Sequence, residues 1–282
     1  MQSEYLLYYF NIPDLTPMAL LEIFLLTLMR IAPMIGLAPF LGGKITPVTT
    51  RITTALMFTF IFLPFVLNHC PHAETGINVR FILLAAKELF LGTMMGYIIS
   101  IPFLIAQNSG IVIDYMRGAS SMQAQDPTLQ NQSSSIGNLF NYILIVLFFQ
   151  IEGPFMFFDA FIKGLEIFPP NAFFNPSFFS MDGSILKILV PIMHQIMAIS
   201  LQLAAPTLLA CLMAEVFLGI ANRLAPQVQI SFLGMSLKSL VGLFVLFSGW
   251  FIIWKQTATS TKSWLDSFVM LIENLRPFAE KS

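Results

Sequence analysis

Six apolar stretches, at 15–41, 52–67, 81–106, 139–151, 185–220 and 229–254, recur from one end of the chain to the other. Several exceed the roughly 20 residues that a helix needs to cross the hydrocarbon core of a bilayer. A soluble chain of this length would bury its apolar residues on one helical face and charge the other. These stretches do little of that. Only 10% of the 282 residues are charged and 56% are hydrophobic, against roughly 25% charged in a typical soluble domain. Lipid offers no partner to a backbone amide, so a spanning chain must be helical or a closed barrel. No alternating barrel pattern is present. The fold class is therefore all-α, a polytopic membrane-type protein.

The stretches are interrupted in two ways. Pro33, Pro39, Pro64, Pro102, Pro154, Pro191 and Pro206 fall within or beside them, which predicts kinked helices whose freed backbone groups find partners in other protein. Ionisable residues interrupt them too: Glu22, Arg30, Lys87, Glu88, Asp114, Glu152, Asp159, Lys163, Glu215 and Lys238. Any one of these can mark a helix end and snorkel to the headgroups. Taken together they favour a protein-facing environment, because each is costly against lipid.

Three stripes follow helical spacing. Glu88, Gly92, Gly96 and Ser100 form the first, with Gly92 and Gly96 as a GxxxG that lets helices approach closely. Lys187, Pro191, His194, Gln195, Ala198, Gln202 and Ala205 form the second, and Gly234, Lys238, Gly242 and Gly249 the third. The last two predict an antiparallel hairpin turning at 222–231. Generic helix packing explains each stripe alone equally well.

Residues that would carry catalysis are missing. The chain has no phosphate-binding loop, dinucleotide fingerprint, HExxH or nucleophile elbow, so we expect no enzyme activity and no cofactor. His69, Cys70 and His72 lack a fourth ligand and ordinary ligand spacing, which makes an exposed turn the better reading than a metal site. His194 and Glu215 are candidates for a proton path, although both lie on one expected helix. A formal charge of −1 implies neither nucleic acid nor an anionic surface as partner. Residues 1–10 hold Glu4 and no Lys or Arg, unlike a cleavable leader, so the mature chain is expected to start near Met1. Cys70 and Cys211 stand in dissimilar surroundings and predict no disulfide.

One connection differs from the rest. Residues 117–138 are mostly small and amide side chains, with only Arg117 and Asp126 charged. A disordered linker would carry more charge and proline. A loop of this length is usually functional, and its low charge suits a restricted polar space such as a channel mouth as well as a plain surface loop.

This stretch also carries a resemblance. Residues 108–119, in which Gly110 and Asp114 form a Gly-x-x-x-Asp pair, followed by Asp126-Pro127, closely resemble the FliR/SctT family of type III secretion export-apparatus proteins. Arg223-Leu-Ala-Pro226-Gln227, with Lys238 beyond it, resembles the second signature of that family. Two distant motifs in the right order are more specific than either alone, and weaker agreement runs through 30–39, 47–51 and 87–92. The run Arg117-Gly118-Ala119 is more similar to injectisome members than to flagellar ones. Residues 202–238 also look similar to the small Q-type subunit.

The resemblance implies a single export-apparatus domain over 1–282. It comprises N-terminal helical hairpins at 1–181, a Q-like hairpin at 182–254 and a C-terminal helix and tail at 255–282. It implies one copy closing a helical assembly of R-type and Q-type subunits in the bacterial inner membrane. A U-type switch protein, a V-type gate and unfolded secretion substrates would be the other partners. The loop 116–132, with Asp114, Arg117, Gly118, Ser120, Met122, Asp126 and Pro127, maps to the channel plug. Arg223, Pro226, Gln227 and Lys238 map to an inward-facing hairpin tip near the switch protein. On the residues themselves, Asp114 and Arg117 at i, i+3 can pair, Gly118 frees the backbone to turn, and Asp126-Pro127 suits a turn. Arg223 suits helix C-terminal carbonyls or an acidic partner. The competing class is an independent transporter with a midplane site between broken helices, against which no inverted repeat is visible; a membrane enzyme comes third.

Overall fold

A computed structural model describes residues 17–43, 46–69, 78–118, 134–173, 184–224 and 230–274, without the side chains of 184–190, 230–233, 271 and 273–274. These residues are 91% helical and contain no strand, as the apolar pattern requires. In chain order the helices are α1 (Pro17–Leu37), α2 (Val48–His69), α3 (Val79–Met116), α4 (Ser135–Gln150), α5 (Gly153–Ile167), α6 (Ser184–Leu224), α7 (Ile230–Ser248) and α8 (Trp250–Asn274), with a 3-10 turn at Pro39–Leu41. Four helices, α1, α2, α3 and the Pro191–Leu224 part of α6, are long and apolar enough to cross a membrane, and the bent pairs α4–α5 and α7–α8 raise the number to as many as six.

The interruptions fall only partly where the prolines stand: Pro39 and Pro154 lie at helix breaks, and the others do not. Helices run on through Pro33, Pro64, Pro102, Pro191 and Pro206. A proline deletes one i→i−4 bond, and the turns on either side keep theirs. The breaks come at Ile151–Glu152, where Glu152 takes a left-handed φ of 60°, and at Gly249, where Gly234–Ser248 and Trp250–Met270 meet at 61°. The stretch 229–254 is thus two helices rather than one, because apolar composition reports the surroundings of a segment and not its direction. Several hydroxyls inside the helices are satisfied locally. Thr27, Thr59, Thr257 and Thr261 each donate to the carbonyl four residues back, at 2.7–2.8 Å.

The chain divides into two compact units: Met1–Ser100 with Gly153–Asp182 and Leu265–Ser282, and Ile101–Glu152 with Gly183–Trp264. In the first, α1 packs on α2, with Phe24 and Phe60 centroids 5.1 Å apart. Phe62 meets Phe161 edge-on at 5.0 Å, Phe58 lies 5.2 Å from Phe158, and Phe40 lies 5.3 Å from Phe157. Glu88, Gly92 and Gly96 of the first stripe lie at the crossing of α3 with α1. A Cβ on Gly92 would overlap the Arg30 carbonyl oxygen, and one on Gly96 would lie 2.9 Å from Met34 Cα. Gly92→Ala is expected to separate these backbones and cost about 1–3 kcal/mol, the usual range for overpacking, read as a lower unfolding midpoint of the full chain in lipid. An unchanged midpoint would refute the crossing.

In the second unit α6 and α7 form the expected hairpin. Gly234 faces Leu218, Lys238 pairs with Glu215, and Gly242 faces Cys211. Ser200 reaches from α6 to the Ile105 carbonyl of α3 at 3.3 Å. Phe103 packs on Phe148 at 5.2 Å, and Phe140 on Trp254 edge-on at the same separation. The second stripe does not face α7. Pro191, His194, Gln195, Ala198 and Gln202 are exposed, whereas Ile196, Ser200, Leu203, Thr207 and Cys211 are buried.

Candidate functional site

Ionisable residues buried in apolar helices need partners, and they gather at two nodes. The first lies in the first unit. Arg30 of α1 grips Glu88 of α3 with two hydrogen bonds, Nε at 2.5 Å and Nη2 at 2.8 Å. The same guanidinium donates to the carbonyls of Gly164, at 3.3 Å, and Phe168, at 2.7 Å. Lys87 Nζ lies 2.8 Å from Glu88 and donates to the carbonyls of Pro169, Pro170 and Ala172 at 2.9, 3.3 and 2.6 Å. Two cations share one carboxylate. The excess positive charge rests on carbonyls at and just beyond the C-terminus of α5, the negative end of a helix. Arg30 is 1% and Glu88 0% exposed, so the node is a dry joint of three helices.

The second node, in the second unit, stands at the loop read as functional. α3 ends conventionally, with the Gly118 amide on the Tyr115 carbonyl at 3.1 Å and Gly118 at φ 82°, the left-handed conformation that favours glycine at a helix C-terminus. One turn back, Asp114 accepts from Arg117 Nη2 at 2.6 Å on one oxygen. Its other oxygen accepts from Ser134 Oγ at 2.6 Å and from the Ile136 amide at 2.9 Å. Ser134 is the N-cap of α4 and accepts in turn from the Gly137 amide at 2.8 Å. A single buried carboxylate thus ties the end of α3 to the start of α4.

The Gly-x-x-x-Asp spacing acquires a physical reason here. A Cβ on Gly110 would lie 2.5 Å from Gly137 Cα. Gly110 therefore lets the N-terminus of α4 come against α3, and Asp114, four residues on and on the same face, caps what arrives there.

Arg117 also reaches α7. Its Nη1 lies 3.4 Å from Ser239 Oγ, and its aliphatic stem crosses Gly242, where a Cβ would meet Cγ at 3.0 Å. Three of the selected residues, Asp114, Arg117 and Gly242, are thus brought together, with Gly118 at the helix end beside them. Glu88, Gly92 and Gly96 share the α1–α3 crossing of the first unit. Lys238 pairs with Glu215, the carboxylate considered for a relay with His194; Glu215 is 47% exposed on its side chain, and an ion pair so open contributes little. Arg223 is exposed in the last turn of α6. Ser120, Met122, Asp126, Pro127, Pro226 and Gln227, along with Cys70 and His72, lie outside the described residues. Among the described residues no three His, Cys, Asp or Glu side chains gather as a metal site would.

Two partners escaped the sequence reading. Arg30 and Glu88 are 58 residues apart, and their only signal is that opposite charges in separate apolar stretches must find one another. Ser134 carries the ordinary mark of an N-cap, a serine ahead of an apolar run, but Ser133, Ser134 and Ser135 stand in a row.

Comparison with known proteins bears on what these nodes serve. The family described as bacterial export proteins, family 1, matches residues 21–263. The chain is 28% identical over 217 residues to the surface presentation of antigens protein SpaR of Salmonella typhimurium, covering 77% of this chain and 78% of that one. It is 30% identical over 164 residues to the Yop proteins translocation protein T of Yersinia pestis, covering 58% and 61%. It is 24% identical over 231 residues to the flagellar biosynthetic protein FliR of Caulobacter vibrioides, covering 80% and 88%.

Proposed function

The chain belongs to family 1 of the bacterial export proteins, and from that premise we propose that it is a noncatalytic subunit of a type III secretion export gate whose loop 116–132 plugs the channel. It is a multi-pass inner-membrane protein of the secretion basal body. One copy closes a helical assembly of R-type and Q-type subunits, with the 222–234 tip toward the U-type switch protein and the V-type gate nearby. Unfolded substrates pass through, and their energy comes from other subunits. The Arg117-Gly118-Ala119 run and the similarity to SpaR and the Yop translocation protein favour the virulence-associated kind over the flagellar.

The observation that carries the plug is the Asp114 node. A long polar segment whose two ends are held by one carboxylate can occupy a channel without pulling its flanking helices apart. The outward surface supports lateral partners: only 17% of the apolar stretch of α6 is buried within the chain, and Leu209, Met213, Phe217 and Ile220 stand exposed along it.

Deleting 120–130 is the test. The shortened chain should still co-purify with R-type and Q-type partners, and membranes carrying the assembly should leak ions at rest. A deletion that assembles and stays as tight as the native gate removes the plug assignment. A chain that binds a small solute alone and co-purifies with neither partner removes the gate as a whole.

A further inference from the structure

Arg117 makes more contacts than a loop anchor needs. Pairing with Asp114 would hold the end of α3 by itself, yet the side chain continues to α7, laying its stem across Gly242 and its guanidinium toward Ser239. Gly242 and Ser239 are three residues apart, on one helical face. The adjoining face of α7 meets α6 through Gly242 against Cys211, Lys238 against Glu215 and Gly234 against Leu218. The position of α7 is therefore set by α6 on one side and felt by Arg117 on the other. Through Asp114, Arg117 reaches two amides of another helix, Ile136 directly and Gly137 by way of Ser134 Oγ.

We propose that Arg117 is a positioning residue that couples the α6–α7 hairpin to the junction of α3 and α4, so that a shift of α7 loosens the cap at the start of α4. The contact is suited to switching rather than to permanent bracing. Among the described residues the buried Arg117 Nε has no hydrogen-bond partner, and the bond to Ser239 is long. The arrangement leaves hydrogen-bonding capacity unused, which costs it free energy and favours any shift of α7 that would satisfy the guanidinium. Gly242 makes the device specific, since only a residue without a Cβ leaves room for the stem. The inference rests on the plug reading only for what the coupling would serve, namely a path from the hairpin to the root of the loop.

Two glycines of α7 provide a matched experiment. A Cβ on Gly242 would press on Arg117 Cγ at 3.0 Å and on Cys211 at 3.1 Å; one on Gly234 would press on Leu218 at 3.1 Å and on nothing at the Asp114 node. Hydrogen exchange at the Ile136 and Gly137 amides is measured on the full chain in native-membrane nanodiscs. Gly242→Ala should speed exchange at both by about tenfold, whereas Gly234→Ala should leave them within about twofold. Placed in an Arg117→Ala background, Gly242→Ala should add nothing further, because the strut is already gone. Ser239→Ala, which introduces no bulk, should give a weaker version of the Gly242→Ala result, about threefold. Equal effects of the two glycine variants, or a Gly242→Ala effect that persists without Arg117, overturns the coupling. If Gly242→Ala prevents accumulation of the chain, the Ser239→Ala and Arg117→Ala pair decides it: additive effects overturn the proposal and non-additive ones support it. Resting ion leak, which tests the plug, is a separate readout, so either reading can fail alone.

Discussion

Glu88→Ala is expected to cost about 3–5 kcal/mol, the loss that follows removing one partner of a buried ion pair, and little folded chain should accumulate in the membrane. The cost is large because Glu88 answers two cations. With the carboxylate gone, Arg30 keeps the carbonyls of Gly164 and Phe168, and Lys87 keeps those of Pro169, Pro170 and Ala172. Two positive charges then face each other across a dry joint. Removing charge from both sides of the Arg30 contact should be far milder than removing it from one. A double Arg30→Met, Glu88→Leu variant replaces the pair by apolar volume, and Lys87 still has three carbonyl acceptors. The unfolding midpoint of that double variant in lipid should recover most of the loss seen with Glu88→Ala. A Glu88→Ala chain as stable as the native one would show that Arg30 and Lys87 are hydrated and that the joint is not dry.

What could be read in advance divides along physical lines. Helicity and the Gly92–Gly96 face were legible because both are periodic and local, and a residue without a Cβ has few other uses on such a face. The α7 stripe of Gly234, Lys238 and Gly242 was legible for the same reason. Its counterpart on α6 was not. Small and polar residues at helical spacing suit a packed face or an outward one, and Pro191, His194, Gln195, Ala198 and Gln202 proved to lie outward while Ser200, Thr207 and Cys211 lie inward. Period alone carries no sign. The break at Gly249 was hidden as well, since 229–254 reads as one apolar run, whereas the break at Ile151–Glu152 falls where the 139–151 stretch ends and Glu152 and Pro154 follow. Only the left-handed φ of Glu152 is a conformation that a glutamate does not signal. The Arg30–Glu88 joint belongs to the same class, because a pairing across 58 residues leaves no local mark.

The Asp114 node was half legible, and the missing half reverses the meaning of an obvious experiment. Read from spacing, Asp114 and Arg117 are an i, i+3 pair, for which exchanging the two residues should restore what either single swap destroys. In the structure the carboxylate also serves Ser134 and the Ile136 amide, and it sits at the N-terminus of α4, where negative charge is favoured and positive charge is not. An arginine at position 114 cannot accept those bonds and places a cation at that helix end. An aspartate at position 117 cannot reach across Gly242 to Ser239. Asp114→Arg is therefore expected to cost about 3–5 kcal/mol, as breaking a buried pair does. The double Asp114→Arg, Arg117→Asp chain should be no more stable, with a recovered coupling of less than about 0.5 kcal/mol. Such an outcome would not disprove the ion pair, because the exchange repairs one of the four hydrogen bonds that the two side chains make beyond their own helix and with each other. Asp114→Asn separates the terms: it keeps an acceptor for α4 and gives up the charge, so its loss in midpoint should fall between native and Asp114→Arg. A double swap that regained native stability would mean that the cap on α4 is dispensable, and that the two ends of the loop are held by something other than one carboxylate.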